Sequence, residues 1–176
     1  MIGYRHTDPR LPFLVERTDQ TPARWHDAGE GPVQYLSDTP DAAWAEFLRH
    51  EEIASVEDLA TVRRAMWAVD LPDEDYAAPR ISNAVLTGGL ASYAACREEA
   101  RRIRRRGGPG IIAPGASLLP GEARGWRVDR GLVPGPDRDG RTIVLFGRRP
   151  DLVGWAATAE GKPREDLLGR VRKLRP

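Results

Sequence analysis

Residues 24–50, RWHDAGEGPVQYLSDTPDAAWAEFLRH, decide how this chain is read. Gly31-Pro32 opens a short apolar run over 33–36, which predicts a strand. Ser37-Asp38-Thr39-Pro40 then carries helix-start chemistry. A hydroxyl or carboxylate can cap the first turn, and proline at the first helical position gives up an N–H that has no partner there anyway. The helix is expected to run to Arg49 or His50. Ala43, Trp44, Phe47 and Leu48 share its core face. Glu46 falls off that face, beside Ala42, Arg49 and His50, so it meets either solvent or a cleft. An arginine (Arg24), a tyrosine at a strand end (Tyr35) and a glutamate on the next helix (Glu46) can therefore converge in one cleft.

The rest of the chain is consistent with one soluble domain over 1–176. Its 176 residues suffice to bury a core, and 40% hydrophobic with 30% charged residues is ordinary globular composition. A net charge of +1 argues against direct nucleic-acid binding and against an acidic membrane surface. Lys162 and Lys173 are the only lysines, so arginine is the general cation of this chain and no single arginine stands out by type. A lone cysteine, Cys96, excludes a disulfide within the chain and a cysteine-rich metal site. His6, His26 and His50 lack zinc-hydrolase spacing, so no metal is expected. Without an apolar leader or a run of roughly 18 apolar residues, a cytoplasmic location is expected.

Along the chain, residues 1–24 read as loop with one strand. A short helix after Ser55 presents Val56, Leu59 and Val62. Residues 66–71 read as a strand and 72–90 as loop. Over 91–106, Tyr93, Cys96, Ala100 and Ile103 form a narrow apolar helical stripe that Gly107-Gly108-Pro109-Gly110 stops. Short strands are expected over 111–113 and 126–129, and the clearest strand is TIVLF, 142–146. Ten glycines and prolines over 114–140 keep that region mostly in turns. Residues 150–157 read as turn or strand. The basic tail, 162–176, is expected to hold a short helix over 167–174. Strands and helices mix without strict alternation, which favours an α+β fold with a largely antiparallel sheet.

Other motifs carry less. The run Arg101–Arg106 reads as a solvated helix face, with Glu98 and Glu99 placed to pair with it. Gly107–Gly110 precedes a strand, where a phosphate loop would precede a helix. Cys96 lies on the apolar stripe and reads as a buried, inert thiol. Thr87, Ser92 and Ser117 have no nucleophile-elbow context.

RW, a glycine-containing stretch and VQYLSDTPDAAWAEFLRH, followed by YAACREEA, a GG turn, GIIAP, GAS and TIVLF, resemble the RES domain family over residues 4–147. The resemblance implies an α+β fold similar to ADP-ribosyltransferase toxins: a mixed, mostly antiparallel sheet with flanking helices. It implies NAD as substrate and cleavage of the nicotinamide–ribose bond, by NAD phosphorylase, glycohydrolase or ADP-ribosyltransferase chemistry. It also implies the toxin role in a toxin–antitoxin pair restrained by an Xre-like antitoxin, with inorganic phosphate or water as acceptor. Residue by residue, it assigns Arg5, Arg24 and Tyr35 to the NAD pocket and Glu46, Tyr35 and Arg24 to catalysis. The family serine aligns with Ala94, leaving Ser92, Thr87 or Ser117 as the hydroxyl, or none; Ser92 is the nearest. The displaced hydroxyl and the Arg-rich helix favour an alternative, a catalytically weakened RES-fold protein that binds a nucleotide or a partner.

The chemistry suits these residue types. Departure of nicotinamide leaves an oxocarbenium-like ribose that a nearby carboxylate stabilises. Guanidinium groups grip pyrophosphate through paired, charge-assisted bonds.

Overall fold

A computed structural model describes residues 1–174; the last two residues of the basic tail lie outside the described residues. The core is a six-stranded antiparallel sheet. Its strands are β1 (Ile2–Thr7), β2 (Val33–Ser37), β3 (Arg64–Asp70), β4 (Gly110–Pro114), β7 (Arg141–Phe146) and β8 (Val153–Gly161), in the spatial order β4-β7-β2-β1-β3-β8. A separate hairpin, β5 (Trp126–Val128) with β6 (Leu132–Pro134), stands on the surface. The helices are α1 (Pro40–His50), α2 (Val56–Ala60), α3 (Asn83–Thr87) and α4 (Tyr93–Arg105). The α+β expectation is met.

α1 forms as its sequence predicts. Thr39 is the cap, its Oγ1 accepting from the Ala42 N–H at 3.1 Å, with Pro40 next and Asp41 in the first turn. Asp38 is not the cap. It accepts from the Arg141 N–H and pairs with Arg138, tying the turn to β7. Ala43, Trp44 and Leu48 pack with Leu59, Val62 and Met66 on one face of the sheet. Burying a side chain such as Leu48 contributes about 2 kcal/mol. α4 packs its predicted stripe beside them, against Ile111 and Val144. The opposite face of the sheet is closed by Phe13, Leu14, Leu71 and Leu152 over Leu36, Val69, Ile143 and Leu145.

Several elements differ from expectation. The N-terminal strand is IGYRHT, whose mixed polar pattern hides it from a period-two reading. α3 lies inside the region read as loop; five residues are too few for helical periodicity to register. β8 is a full edge strand, and the tail forms a 3-10 helix over Glu165–Arg170.

One departure from regular pairing positions the site. β1 pairs with β3 along its whole length, and β2 pairs likewise with β7. Between β1 and β2 only Tyr4 and Ser37 are in register. The sheet therefore opens at its centre, and side chains replace the missing ladder. The Gln20 amide brackets Val33, accepting from its N–H at 2.6 Å and donating to its carbonyl at 3.0 Å. Arg5 Nη1 donates across the gap to Gln34 Oε1, whose amide nitrogen in turn donates to the Val15 carbonyl. Buried backbone and polar groups thus keep partners although the strands diverge.

Candidate active site

The opening between β1 and β2 is the floor of a cleft of about 270 Å³. β1 contributes Tyr4, Arg5 and His6, and β2 contributes Tyr35, Leu36 and Ser37. α1 contributes Ala43, Glu46 and His50, the loop before β2 contributes residues 23–25, and β7 adds Thr142. Arg5, Arg24, Tyr35 and Glu46 therefore meet in one cavity.

Glu46 borders the cleft and does not simply face bulk solvent. Its side chain is a quarter exposed, and its carboxylate lies 3.6 Å from His50 Nε2, one helical turn on. Arg5 is deeply buried, and burial pulls its guanidinium down to about 10. Its Nε has no protein partner. Arg49, expected on the polar flank of α1, is only 4% exposed and is also lowered by burial, with Glu46 partly offsetting the shift. Among the described residues, Arg5, Arg24, Arg49 and Arg64 form no salt bridge, although carboxylates satisfy other arginines such as Arg102 and Arg170. Desolvated cations without counter-ions are costly, and an anionic ligand would offset that cost.

Arg24 lines the cleft, yet both of its Nη atoms point into the protein. Nη1 donates to the Leu86 carbonyl at 3.1 Å and to Ser92 Oγ at 3.0 Å; Nη2 donates to the Gly88 carbonyl at 2.6 Å. The guanidinium also sits 4.7 Å above the Tyr93 ring. Arg49 Nη2 reaches the same Gly88 carbonyl at 2.9 Å. The Nη groups of Arg24 thus anchor the wall segment 85–92.

Tyr35 is likewise anchored. Its oxygen accepts from the Trp25 N–H at 3.0 Å, leaving its proton available to His26 Nδ1 at 2.9 Å. Burial raises the phenol well above its ordinary value, so it stays protonated. The hydroxyl fixes the 24–26 turn and the ring forms the cleft wall. Tyr35→Phe keeps the ring and orphans a buried N–H. Its expected cost is about 1–3 kcal/mol in denaturant unfolding. A loss below roughly 0.5 kcal/mol would remove the hydroxyl from this role.

The three hydroxyls considered for the pocket are all engaged elsewhere. Ser92 Oγ accepts from Arg24 and donates to the Gly89 carbonyl at 2.7 Å. Thr87 Oγ1 donates to the Asn83 carbonyl, and Ser117 Oγ to the Ala42 carbonyl. None of them is among the residues lining the cleft, and Ser92 reaches it only through its bond to Arg24. The small hydroxyls that do line it are Ser37 and Thr142, neighbours in register across β2 and β7. Ser37 was hidden in the helix-start tetrad and Thr142 at a strand end.

The Arg101–Arg106 run is less solvated than expected. Arg101 pairs with Glu30 and Asp27, and Arg102 with Glu99. Arg104 lies 4.2 Å over the Phe146 ring and donates to the Glu30 carbonyl at 2.7 Å. With Arg97 on the Ala23 carbonyl, α4 clamps the loop that carries Arg24. Only Arg105 and Arg106 of the run are exposed, which weakens it as a docking surface. Cys96 is buried, as expected. Among the described residues no helix is long and apolar enough to cross a membrane, and no cluster of three metal-ligating side chains occurs.

The sequence model of the RES domain matches residues 4–163. No curated protein sequence matches the chain. Among solved structures, the chain resembles one from the crystal structure of the M. tuberculosis MbcT–MbcA toxin–antitoxin complex. The TM-score is 0.60 at 14% identity, covering 90% of this chain and 84% of that one. At that identity the likeness is one of fold.

Proposed function

This chain belongs to the RES domain family, and from that premise we propose that it consumes NAD by breaking the nicotinamide–ribose bond, as the toxin of a toxin–antitoxin pair. The observation that carries the reading is a cleft lined by both the carboxylate residue Glu46 and Arg5, a buried arginine with no counter-ion among the described residues. A cation without a carboxylate suits the pyrophosphate, and a carboxylate off the core face suits the ribosyl cation.

In this mechanism the bond from ribose C1′ to the nicotinamide nitrogen breaks, and its electron pair leaves with nicotinamide. Glu46 stabilises the positive charge that builds on C1′ and the ring oxygen. The oxygen of phosphate or water then bonds to C1′, giving a phosphorylated ADP-ribose or, with loss of one water proton to solvent, free ADP-ribose. Arg5 holds the pyrophosphate, the Tyr35 ring flanks the nicotinamide, and Arg24 holds the wall segment 85–92 in place. The cleft volume, near the low end of roughly 300–1,000 Å³ for small-molecule sites, suits the reactive half of a dinucleotide, with the adenosine half along the open side. An Xre-like antitoxin is the partner this reading calls for.

Incubating the purified protein with NAD, with and without inorganic phosphate, tests the reading by nicotinamide release and by the mass of the sugar product. The expected result is release in at least one condition, with phosphate dependence naming the acceptor. NAD binding without turnover in either condition would overturn the enzymatic reading. It would favour the alternative, a weakened nucleotide- or partner-binding protein, which the engagement of Ser92, Thr87 and Ser117 outside the cleft supports.

A further inference from the structure

His6 is not used by the mechanism above, yet its surroundings are specific. It stands on β1, lines the cleft, and shares the sheet face of Tyr4. Its ring stacks with Trp44 (centroids 6.4 Å apart, planes 11° apart) and meets the edge of Phe47 at 5.0 Å. Arg64, whose guanidinium packs over Phe47, places Nη2 3.2 Å from His6 Nδ1. A guanidinium only donates, so Nδ1 must accept, and the ring proton then sits on Nε2. His6 lines the cleft, and Nε2, the nitrogen that Arg64 does not occupy, has no hydrogen-bond partner among the described residues, so its N–H is the one left for a ligand.

Resting on the NAD reading, we propose that His6 is a further ligand-binding residue: a neutral N–H donor, locked in one tautomer by Arg64, that takes an uncharged oxygen of the substrate, a ribose hydroxyl or the carboxamide carbonyl. Its charge state agrees with the geometry. Burial first, then the facing cations Arg64 and Arg5 and the nearby His50, hold the imidazole down to about 3, so it stays neutral wherever the enzyme works. A neutral donor between cations complements Arg5. The guanidinium answers the charged end of the ligand and the imidazole N–H its uncharged oxygens. The Trp44 and Phe47 rings fix the imidazole plane, so the donor is oriented before the ligand arrives.

His6→Phe tests this, because it keeps a flat ring against Trp44 and Phe47 and removes both nitrogens. The expected result is a KM for NAD raised roughly fivefold or more, with kcat changed much less, as for an interaction made equally in ground and transition states. His6→Gln, which can present an amide N–H, should recover part of the loss. Affinity for ADP-ribose alone sorts the acceptor: a parallel loss points to the ribose, and an unchanged affinity to the carboxamide. In the wild-type protein, nitrogen-15 spectra of the imidazole should report the Nε2–H tautomer and a shift of that nitrogen on adding NAD. An Nδ1–H tautomer, or an unchanged KM in folded His6→Phe, overturns the proposal. If the wild-type protein releases no nicotinamide, the catalytic reading fails separately. The nitrogen titration with NAD then still decides the His6 proposal, a shift upholding it and an unmoved resonance overturning it.

Discussion

Glu46→Gln is expected to slow NAD consumption by about a hundred- to a thousandfold, the scale of losing one preorganised electrostatic contact to a developing charge. Glutamine keeps the volume and the helix propensity and removes the negative charge that the ribosyl cation needs. Glu46 lies off the core face of α1, which Trp44 and Leu48 bury, so the fold has little stake in the charge. Its one ion pair, with His50, is half exposed and contributes little. Thermal unfolding should move by no more than about 2 °C. The assay is nicotinamide release at saturating NAD, together with a melting curve of the same preparation. Undiminished turnover in a folded variant would remove Glu46 from the chemistry.

The second large effect is structural. Arg24→Met is expected to lower stability by about 3–5 kcal/mol, since bonds to a charged group contribute about 1.5–3 kcal/mol each and the Leu86 carbonyl left behind loses its donor, while Gly88 keeps Arg49. For a domain of this size that corresponds to a fall of about 10 °C in Tm. The change should be focused. Hydrogen exchange should quicken over 85–92, whose carbonyls and Ser92 the guanidinium holds, and activity should fall as the cleft wall loosens. Arg24→Lys should not rescue it, because a single ammonium cannot fork between the Leu86 and Gly88 carbonyls. A Tm within 2 °C of wild type would refute the clamp.

Reading the sequence located α1, its start, the strand before it and the stripe of α4, because each is coded locally by a cap, a period or a stop. It also brought Arg5, Arg24, Tyr35 and Glu46 to one cleft, by resemblance for the first and by local geometry for the others. The jobs of those residues were harder to read. The partners of Arg24 lie more than 60 positions away, so nothing nearby distinguishes a ligand-facing arginine from one consumed by carbonyls. Arg49 breaks the rule that charges avoid the interior, and its partners, the Gly88 and Lys173 carbonyls, are far away in sequence. The pairing of Glu98 and Glu99 with the arginine run followed helix spacing. The grip of Arg101 and Arg104 on the loop at 25–30 did not, because it depends on how α4 lies across that loop.

The gap in the sheet has a mechanical consequence. Backbone register crosses the middle of the molecule at a single position, Tyr4 with Ser37, so the strands β4-β7-β2 and β1-β3-β8 form two panels joined by one register pair, with α1 packed on both. A molecule seated in the gap touches both panels at once. It would act as a strut between them.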